Sequence, residues 1–244
     1  MATYKKGDSL ISIVIPTLNE VANLNQTIEY TNSQSAHPER MEFIVVDSGS
    51  DDGTMESIQD TEILVFSKPE FVLKKYQSLN YGLEKASGDL VLFLDADTLL
   101  PKHFDLSIVK ALENEEVVGG AFEFAFRKPD VKLSILTLVN RIRYRLDKAY
   151  YGDQAIFARK ATLNLISGVP AEALMEAAYL CKALRKQGKL ALIKPGIRTS
   201  PRRFNEHGFF KVVWFDFNMF IRFNLGLPVS GYANKYWSKN LNNR

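Results

Sequence analysis

Asp95 and Asp97 stand one residue apart near the end of "GDLVLFLDADTLLP", residues 88–101, where an apolar run meets two carboxylates. Side chains two apart along an extended chain point the same way, so the pair can present its oxygens to one point in space. Like charges so placed repel unless a proton or a cation lies between them. Mg2+ or Mn2+ is the natural cation, because hard oxygen ligands suit it and such sites take one or two carboxylates with phosphates and water completing the shell. The pair therefore points to a site for a metal and a diphosphate. Two more polar clusters follow strand-like runs: Thr17, Asn19 and Glu20 after "LISIVI", and Asp47 to Thr54, "DSGSDDGT", after "MEFIVV". Asn, Asp, Ser and Gly are ordinary turn residues, so one such cluster would mean only a turn. Three of them at strand ends mark a common rim. "PTLNE" holds neither G-x-G-x-x-G nor G-K-S/T, so a diphosphate here would lean on the metal rather than on a glycine-rich loop.

The elements that must position these groups follow from periodicity. "LISIVI", "MEFIVV", "EILVF" and "LVLFL" are short, rich in branched residues and apolar on both faces, as parallel strands covered on two sides should be. Residues 19–34 read as a crossover helix, with Val21, Leu24 and Ile28 on one face and Asn19 as its cap. Further helices are expected over 71–86, 103–113 and 131–146, and in "PAEALMEAAYLCKALRKQG", with Pro170 in its first turn and Gly188 just past its end. "VVGGAFEFAF" alternates as a strand does, while Gly152 breaks "YYGDQAIFARK" and leaves Asp153 and Gln154 in a turn. Strands alternating with helices predict an α/β fold around a mostly parallel sheet, in which ligands bind beyond the carboxyl ends of the strands. Without a linker or a repeat, the 244 residues read as one domain, with a nucleotide-binding half at about 9–130 and an acceptor-side half at about 131–228.

Composition excludes several classes. A formal net charge of +3 with scattered Lys and Arg is too weak a signal for a nucleic-acid partner. The lone Cys181 rules out an internal disulfide and a cysteine-rich zinc site, and it fits a reducing compartment. "LISIVI" is interrupted too soon by Pro16 to be a signal peptide, and no run reaches the ~18 apolar residues of a membrane span. A cytoplasmic protein is expected. Residues 209–227, "FFKVVWFDFNMFIRFNLGL", combine aromatics with Lys211 and Arg222, and suit a helix lying on the cytoplasmic face of a membrane. Packing against the sheet, or a dimer contact, explains the stretch about as well.

"ISIVIPTLNE", "FIVVDSGSDDGT" and "LNYGLEKASGDLVLFLDADT" resemble the three successive nucleotide-sugar-binding blocks of family 2 glycosyltransferases with the GT-A fold. Downstream, "GGAFEF", "YYGDQAIFARK", "LMEAAYLCKALRKQGKL" and "TSPRRF" resemble a compact bacterial subgroup, the radical-SAM/selenodomain-associated transferase 2 proteins. The resemblance implies that Pro16, Thr17, Asn19 and Glu20 line the nucleotide pocket, with Asp47 on the base or ribose and Asp52 nearby. It places Lys75 and Asn80 toward the nucleotide and phosphates, although Lys75 stands where Arg is usual in the subgroup. Asp95 falls near the ribose and metal, and Asp97 is the principal metal ligand. Gly152, Asp153 and Gln154 correspond to a segment near the sugar and acceptor, while Arg202 and Arg203 match a basic pair that steadies the leaving diphosphate. The family's helix before the acceptor site usually carries Glu-Asp, the second residue being the favoured catalytic base. Here the pair is Glu176-Ala177, so Glu176 is the first candidate for the base and Asp153 the next.

The expected activity is thus inverting transfer of a sugar from a nucleotide-diphosphate donor to an acceptor hydroxyl, assisted by Mg2+ or Mn2+, with a lipid-linked or a small acceptor left open. Ala177 motivates an alternative, a nucleotide-sugar-binding protein impaired in catalysis. "LDADTLL" also resembles the D-x-D-G-T block of haloacid-dehalogenase-like phosphatases, but it lacks the glycine before the threonine and does not follow the first strand.

Overall fold

The alternation in "ISIVIPT" sorts its side chains to two sides of a sheet: Ile11, Ile13 and Ile15 join one buried cluster, and Val14 joins another. The computed structural model describes residues 9–147 and 150–233. Its seven strands are β1 (Ile11–Thr17), β2 (Met41–Asp47), β3 (Leu64–Ser67), β4 (Leu90–Phe93), β5 (Val117–Phe126), β6 (Phe157–Arg159) and β7 (Lys189–Thr199), and they lie in the order β3-β2-β1-β4-β6-β5-β7. The first four pair in parallel, as the apolar runs predict, but β3 lies at the sheet edge and is only partly covered, with Leu64 exposed. Only β6 is antiparallel to its neighbours, and β5 and β7 are parallel again. The helices are α1 (Leu24–Gln34), α2 (Lys75–Lys85), α3 (Phe104–Leu112), α4 (Val131–Asp147), α5 (Lys160–Leu165), α6 (Glu176–Leu184), α7 (Arg202–His207) and α8 (Phe209–Asn224). Leu24 and Ile28 of α1 and Phe104, Ile108 and Leu112 of α3 cover one face of the sheet. Leu79 and Leu83 of α2 and Leu180, Cys181 and Leu184 of α6 cover the other. No described helix is long and apolar enough to cross a membrane.

Three helices start later than their periodicity predicts, and each time a residue with positive φ precedes the start. Asn19 does not cap α1; it sits at φ 54 in the left-handed region that Asn tolerates, and α1 begins after Asn23. Leu73 at φ 62 delays α2 to Lys75, and Met175 at φ 62 delays α6 to Glu176. Neither β6 nor β7 was expected. β6 has three residues, too few to show a period. In β7 the pattern is broken by Pro195 and Gly196, and the register with β5 shifts between Phe122 and Phe124. β7 lies at the edge of the sheet, where a proline without an N–H is tolerated. At Gly196 a Cβ would stand 2.1 Å from the Glu123 carbonyl oxygen, so only glycine lets the two strands approach this closely.

Candidate active site

The carboxyl ends of β1, β2 and β4 meet at one rim, with Thr17 in register with Asp47. Asp95 and Asp97 lie there on a turn and not on an extended chain. β4 ends at Phe93, the Thr98 amide donates to the Asp95 carbonyl at 3.1 Å, and buried Ala96 accepts a hydrogen bond on its carbonyl from Thr27 Oγ1 at 2.6 Å. That turn, rather than strand alternation, brings both carboxylates to a cavity of about 580 Å3. Pro16, Thr17, Glu20, Lys75, Asp95 and Asp97 line the cavity on the side of the parallel strands. Gly152, Asp153, Glu176, Arg202 and Arg203 line it from the later segments.

Two ion-pair groups divide this wall. In the first, Lys75 Nζ lies 2.5 Å from Asp95 Oδ1 and 3.8 Å from Glu176 Oε1. A Cβ on Gly152 would be 3.1 Å from that ammonium, a tight approach, and in ordinary contact at 3.7 Å with Asp95 Oδ2 and Glu176 Oε1, so a side chain there would crowd Lys75 first. In the second, Arg202 grips Glu20 with two bonds of 2.7 and 3.2 Å and reaches within 3.8 Å of Asp97 Oδ2. Arg127, at the end of β5, donates to the Asp97 carbonyl at 2.6 Å. Burial, then the neighbouring charges of Asp95 and Glu20, push the Asp97 carboxyl up to about 6 against the pull of Arg202 and Arg127.

The two candidate bases differ. Glu176 is the first residue of α6 and is buried; burial raises its pKa, and the Lys75 ammonium opposes the shift. Burial, followed by Asp95 and Asp216, pushes Asp153 up to about 7, with Lys75 and Arg143 opposing. Among the described residues the Asp153 carboxylate makes no hydrogen bond or ion pair, although it lines the cavity. Ala177 lines the cavity too, as a small apolar wall.

Asn19, Asp47, Asp52, Asn80 and Gln154 are not part of the cavity wall. Asn19 ties two loops together: its amide donates to Ser50 Oγ at 2.8 Å and its side-chain oxygen accepts from the Asp51 amide at 3.0 Å. Asp47, buried, spends one carboxylate oxygen on the Gly49 and Ser50 amides at 2.9 and 3.0 Å and the other on the Ser50 hydroxyl. Asp52 accepts from the Val21 and Thr54 amides at 3.1 and 3.0 Å; burial works against its charge, but these bonds and one from the Thr54 hydroxyl hold its pKa below the usual value. Asn80 exchanges bonds of 2.8 and 2.7 Å with the Val169 carbonyl and amide. Gln154 bonds the Phe122 carbonyl and the Tyr151 amide, both at 3.1 Å. The basic pair also diverges, since Arg203 turns away from the acidic cluster to Asp216 of α8, at 2.6 and 3.2 Å.

Two cavity neighbours escaped the sequence reading. Arg127 supports Asp97 from behind, and Arg143 of α4 lines the cavity with its guanidinium 4.2 Å from the centre of the Tyr151 ring. Arg127 had a signal, a charged residue directly after a strand-like run, whereas Arg143 lies in a helix with several basic residues. For the metal, no group of three or more His, Cys, Asp or Glu converges among the described residues. The donor set does suit a cation shared with phosphates: Asp95 and Asp97 supply hard oxygens, and the crowding that raises the Asp97 pKa is what a divalent cation would relieve.

The family model described as Glycosyl transferase family 2 matches residues 12–165, which contain β1 to β4, the acidic turn and the segment from Gly152 to Gln154. The chain belongs to this family. It is 37% identical over 120 residues to an uncharacterized glycosyltransferase of Bacillus subtilis strain 168, YfnE, a match covering 46% of this chain and 29% of that one. It is 35% identical over 117 residues to the undecaprenyl-phosphate 4-deoxy-4-formamido-L-arabinose transferase of Aeromonas hydrophila, covering 45% of this chain and 36% of that one. The matched segment therefore spans well under half of either relative. Among solved structures, the mannosyltransferase PcManGT from Pyrobaculum calidifontis, in complex with GDP-Man and Mn2+, superimposes with a TM-score of 0.59 at 20% identity over 77% of this chain and 55% of that one. S. aureus TarS 1–349 in complex with UDP gives 0.61 at 18% identity over 81% of this chain and 62% of that one. These likenesses show the GT-A fold for this family 2 chain, as its sequence blocks imply.

Proposed function

We propose that this protein transfers a sugar from a nucleotide-diphosphate donor to an acceptor hydroxyl, with inversion at the anomeric carbon. The observation that carries the reading is the single cavity in which Asp95, Asp97 and Arg202 face Asp153 and Glu176. Asp97 and Asp95 would hold Mg2+ or Mn2+, which supplies positive charge to the departing diphosphate. Arg202 and Lys75 stand beside these carboxylates, and donor binding would free part of their charge for phosphate oxygens. The acceptor oxygen forms the new bond to the anomeric carbon as the bond to the diphosphate breaks, and its proton passes to a carboxylate. Asp153 fits that role better than Glu176, because a base near neutral pH with no ion-pair partner among the described residues is poised to accept a proton, whereas Glu176 is tied to Lys75. Inversion, the downstream subgroup and a single GT-A domain over residues 1–244 rest on the sequence blocks quoted above. Complexes of the structural neighbours PcManGT with GDP-Man and Mn2+ and TarS with UDP support the donor and metal classes. A cytoplasmic protein in peripheral contact with the membrane through residues 209–227 completes the reading.

Calorimetry with UDP and GDP, with Mn2+ and then with EDTA, tests the donor half. Metal-dependent binding of one of them, followed by turnover of the matching nucleotide sugar, is the expected result. Absence of binding to every nucleotide diphosphate would overturn the proposal. A specific observation keeps the binding-protein alternative in play: Ala177 gives the cavity a methyl group where the family usually has a carboxylate. Tight donor binding without hydrolysis or transfer would favour it.

A further inference from the structure

The later half of the molecule leaves two apolar stripes uncovered. On α4, Val131, Ile135, Leu138, Val139 and Ile142 are exposed at the spacing of one helical face, opposite buried Leu133, Thr137 and Tyr144. On α8, Phe210, Trp214, Phe217 and Ile221 do the same, opposite Val212 and Met219, and Leu225 extends the row. Trp214 is 69% exposed and Phe210 77%, so these rings do not serve the core. The helices run side by side in the same direction, because Lys132 Nζ stands 5.7 Å from the Phe210 ring centre and the Arg143 guanidinium 5.7 Å from that of Phe220. The active-site cavity continues between them along Leu136, Val213 and Phe220. Val139 and Phe217 both line the cavity and are about half exposed, at 54% and 50%, so the cavity opens through the apolar face.

Charge and shape select the occupant. Among the described residues of the two helices, Arg141 is paired with Glu123, Arg143 lines the cavity and Asp216 is paired with Arg203. Lys132 and Lys211, both exposed, are therefore left as cations to flank the apolar stripes. A second copy docked through the same face would set like charges against each other, and a flat protein partner would seal the mouth. An anionic bilayer satisfies the charge and, being fluid, can feed the mouth. We propose that α4 and α8 lie on an anionic bilayer and that the acceptor is an amphiphile, whose apolar chain sits between the two helices while its hydroxyl reaches Asp153. The acceptor clause rests on the transferase reading above; the docking clause does not.

Flotation with vesicles of phosphatidylcholine, alone or mixed with phosphatidylglycerol, tests the docking. The protein should float with the mixed vesicles at low salt, be released by high salt, and lose at least tenfold of its binding on combined Ile135→Glu and Trp214→Glu substitution. These residues lie outside the cavity wall, so Mn2+-dependent binding of UDP or GDP should be unchanged and should certify the fold of the variant. Should the variant fail to fold, the salt dependence of the unaltered protein decides alone. Failure to float on mixed vesicles, or self-association that the double substitution abolishes in place of vesicle binding, overturns the proposal. For the acceptor class, dodecyl maltoside below its micelle concentration should bind in calorimetry where maltose does not; equal behaviour of the two overturns that clause. Nucleotide binding without vesicle binding would sink the docking and spare the transferase reading, and vesicle binding without nucleotide binding would do the reverse.

Discussion

The rim at the ends of β1, β2 and β4 and the outer face of α4 and α8 follow opposite rules. At the rim almost every polar side chain is committed: Asp47 and Asp52 hold loop amides, Asn19 joins two loops, and Lys75 and Arg202 neutralise neighbouring carboxylates. Beneath it lie two large buried clusters on either side of the sheet. The later helices rest on much smaller clusters, one around Leu174 and Met219 and another around Phe124 and Leu133, and turn apolar side chains to the outside. On the proposed function the difference separates two tasks. A site for a highly charged diphosphate must be rigid and already organised, since reorientation during reaction would cost what the site is meant to supply. A face for a fluid amphiphile needs area and access, not a fixed constellation.

Substitutions can break this contrast at either end. The largest effect is expected at Asp153, where Asn should lower transfer by roughly 10²- to 10⁴-fold with nucleotide binding intact. The Glu176→Gln protein should lose less, and the reverse ranking in steady-state assays would hand the proton to Glu176. Because a base acts deprotonated, activity should fall as pH drops through about 7, the value to which burial pushes Asp153, and this limb should be absent from Asp153→Asn. Next comes Asp97→Ala, which should remove the Mn2+ response of nucleotide binding; a loss of tenfold or more in affinity, about 1.4 kcal/mol, is the threshold to read by calorimetry. Equal affinity with and without metal in both proteins would reject Asp97 as a ligand.

A smaller effect is expected on stability at the rim. Asp47→Ala strips the Gly49 and Ser50 amides and the Ser50 hydroxyl of their acceptor, which should cost about 1–2 kcal/mol in denaturant unfolding. An unaltered midpoint would show that this loop is not held as the hydrogen bonds imply. The smallest is Trp214→Glu, an exposed position whose replacement should change stability by no more than about 0.5 kcal/mol in water. A loss of several kcal/mol there would mean that Trp214 is covered in the working protein, and the contrast between the two regions would collapse.

What the sequence determined by itself was the parallel half. Continuous apolar runs such as "LVLFL" can bury both faces only inside a covered parallel sheet, and polar clusters directly after such runs must then share a rim, so β1, β2 and β4 and the positions of Thr17, Glu20, Asp95 and Asp97 at that rim followed from local pattern, whereas β3 keeps one apolar run at an exposed edge. The places where that reading slipped are backbone decisions made by contact. Asn19, Leu73 and Met175 adopt positive φ and move three helix starts, and the acidic pair converges through a turn pinned by Thr27, a residue distant in sequence. β7 was hidden because Pro195 and Gly196 break its alternation, and only pairing with β5 makes a strand of it. Tertiary structure also decided that Glu176 is tied, since its pairing with Lys75 depends on α6 arriving beside α2's first residue. It decided the fate of the aromatic stretch as well. A stripe of Phe, Trp and Ile at helical spacing is the same string of letters whether it faces a core, a partner or a lipid, and only the placement of α8 at the edge of the fold, with its inner face already filled by Val212 and Met219, turns that stripe outward.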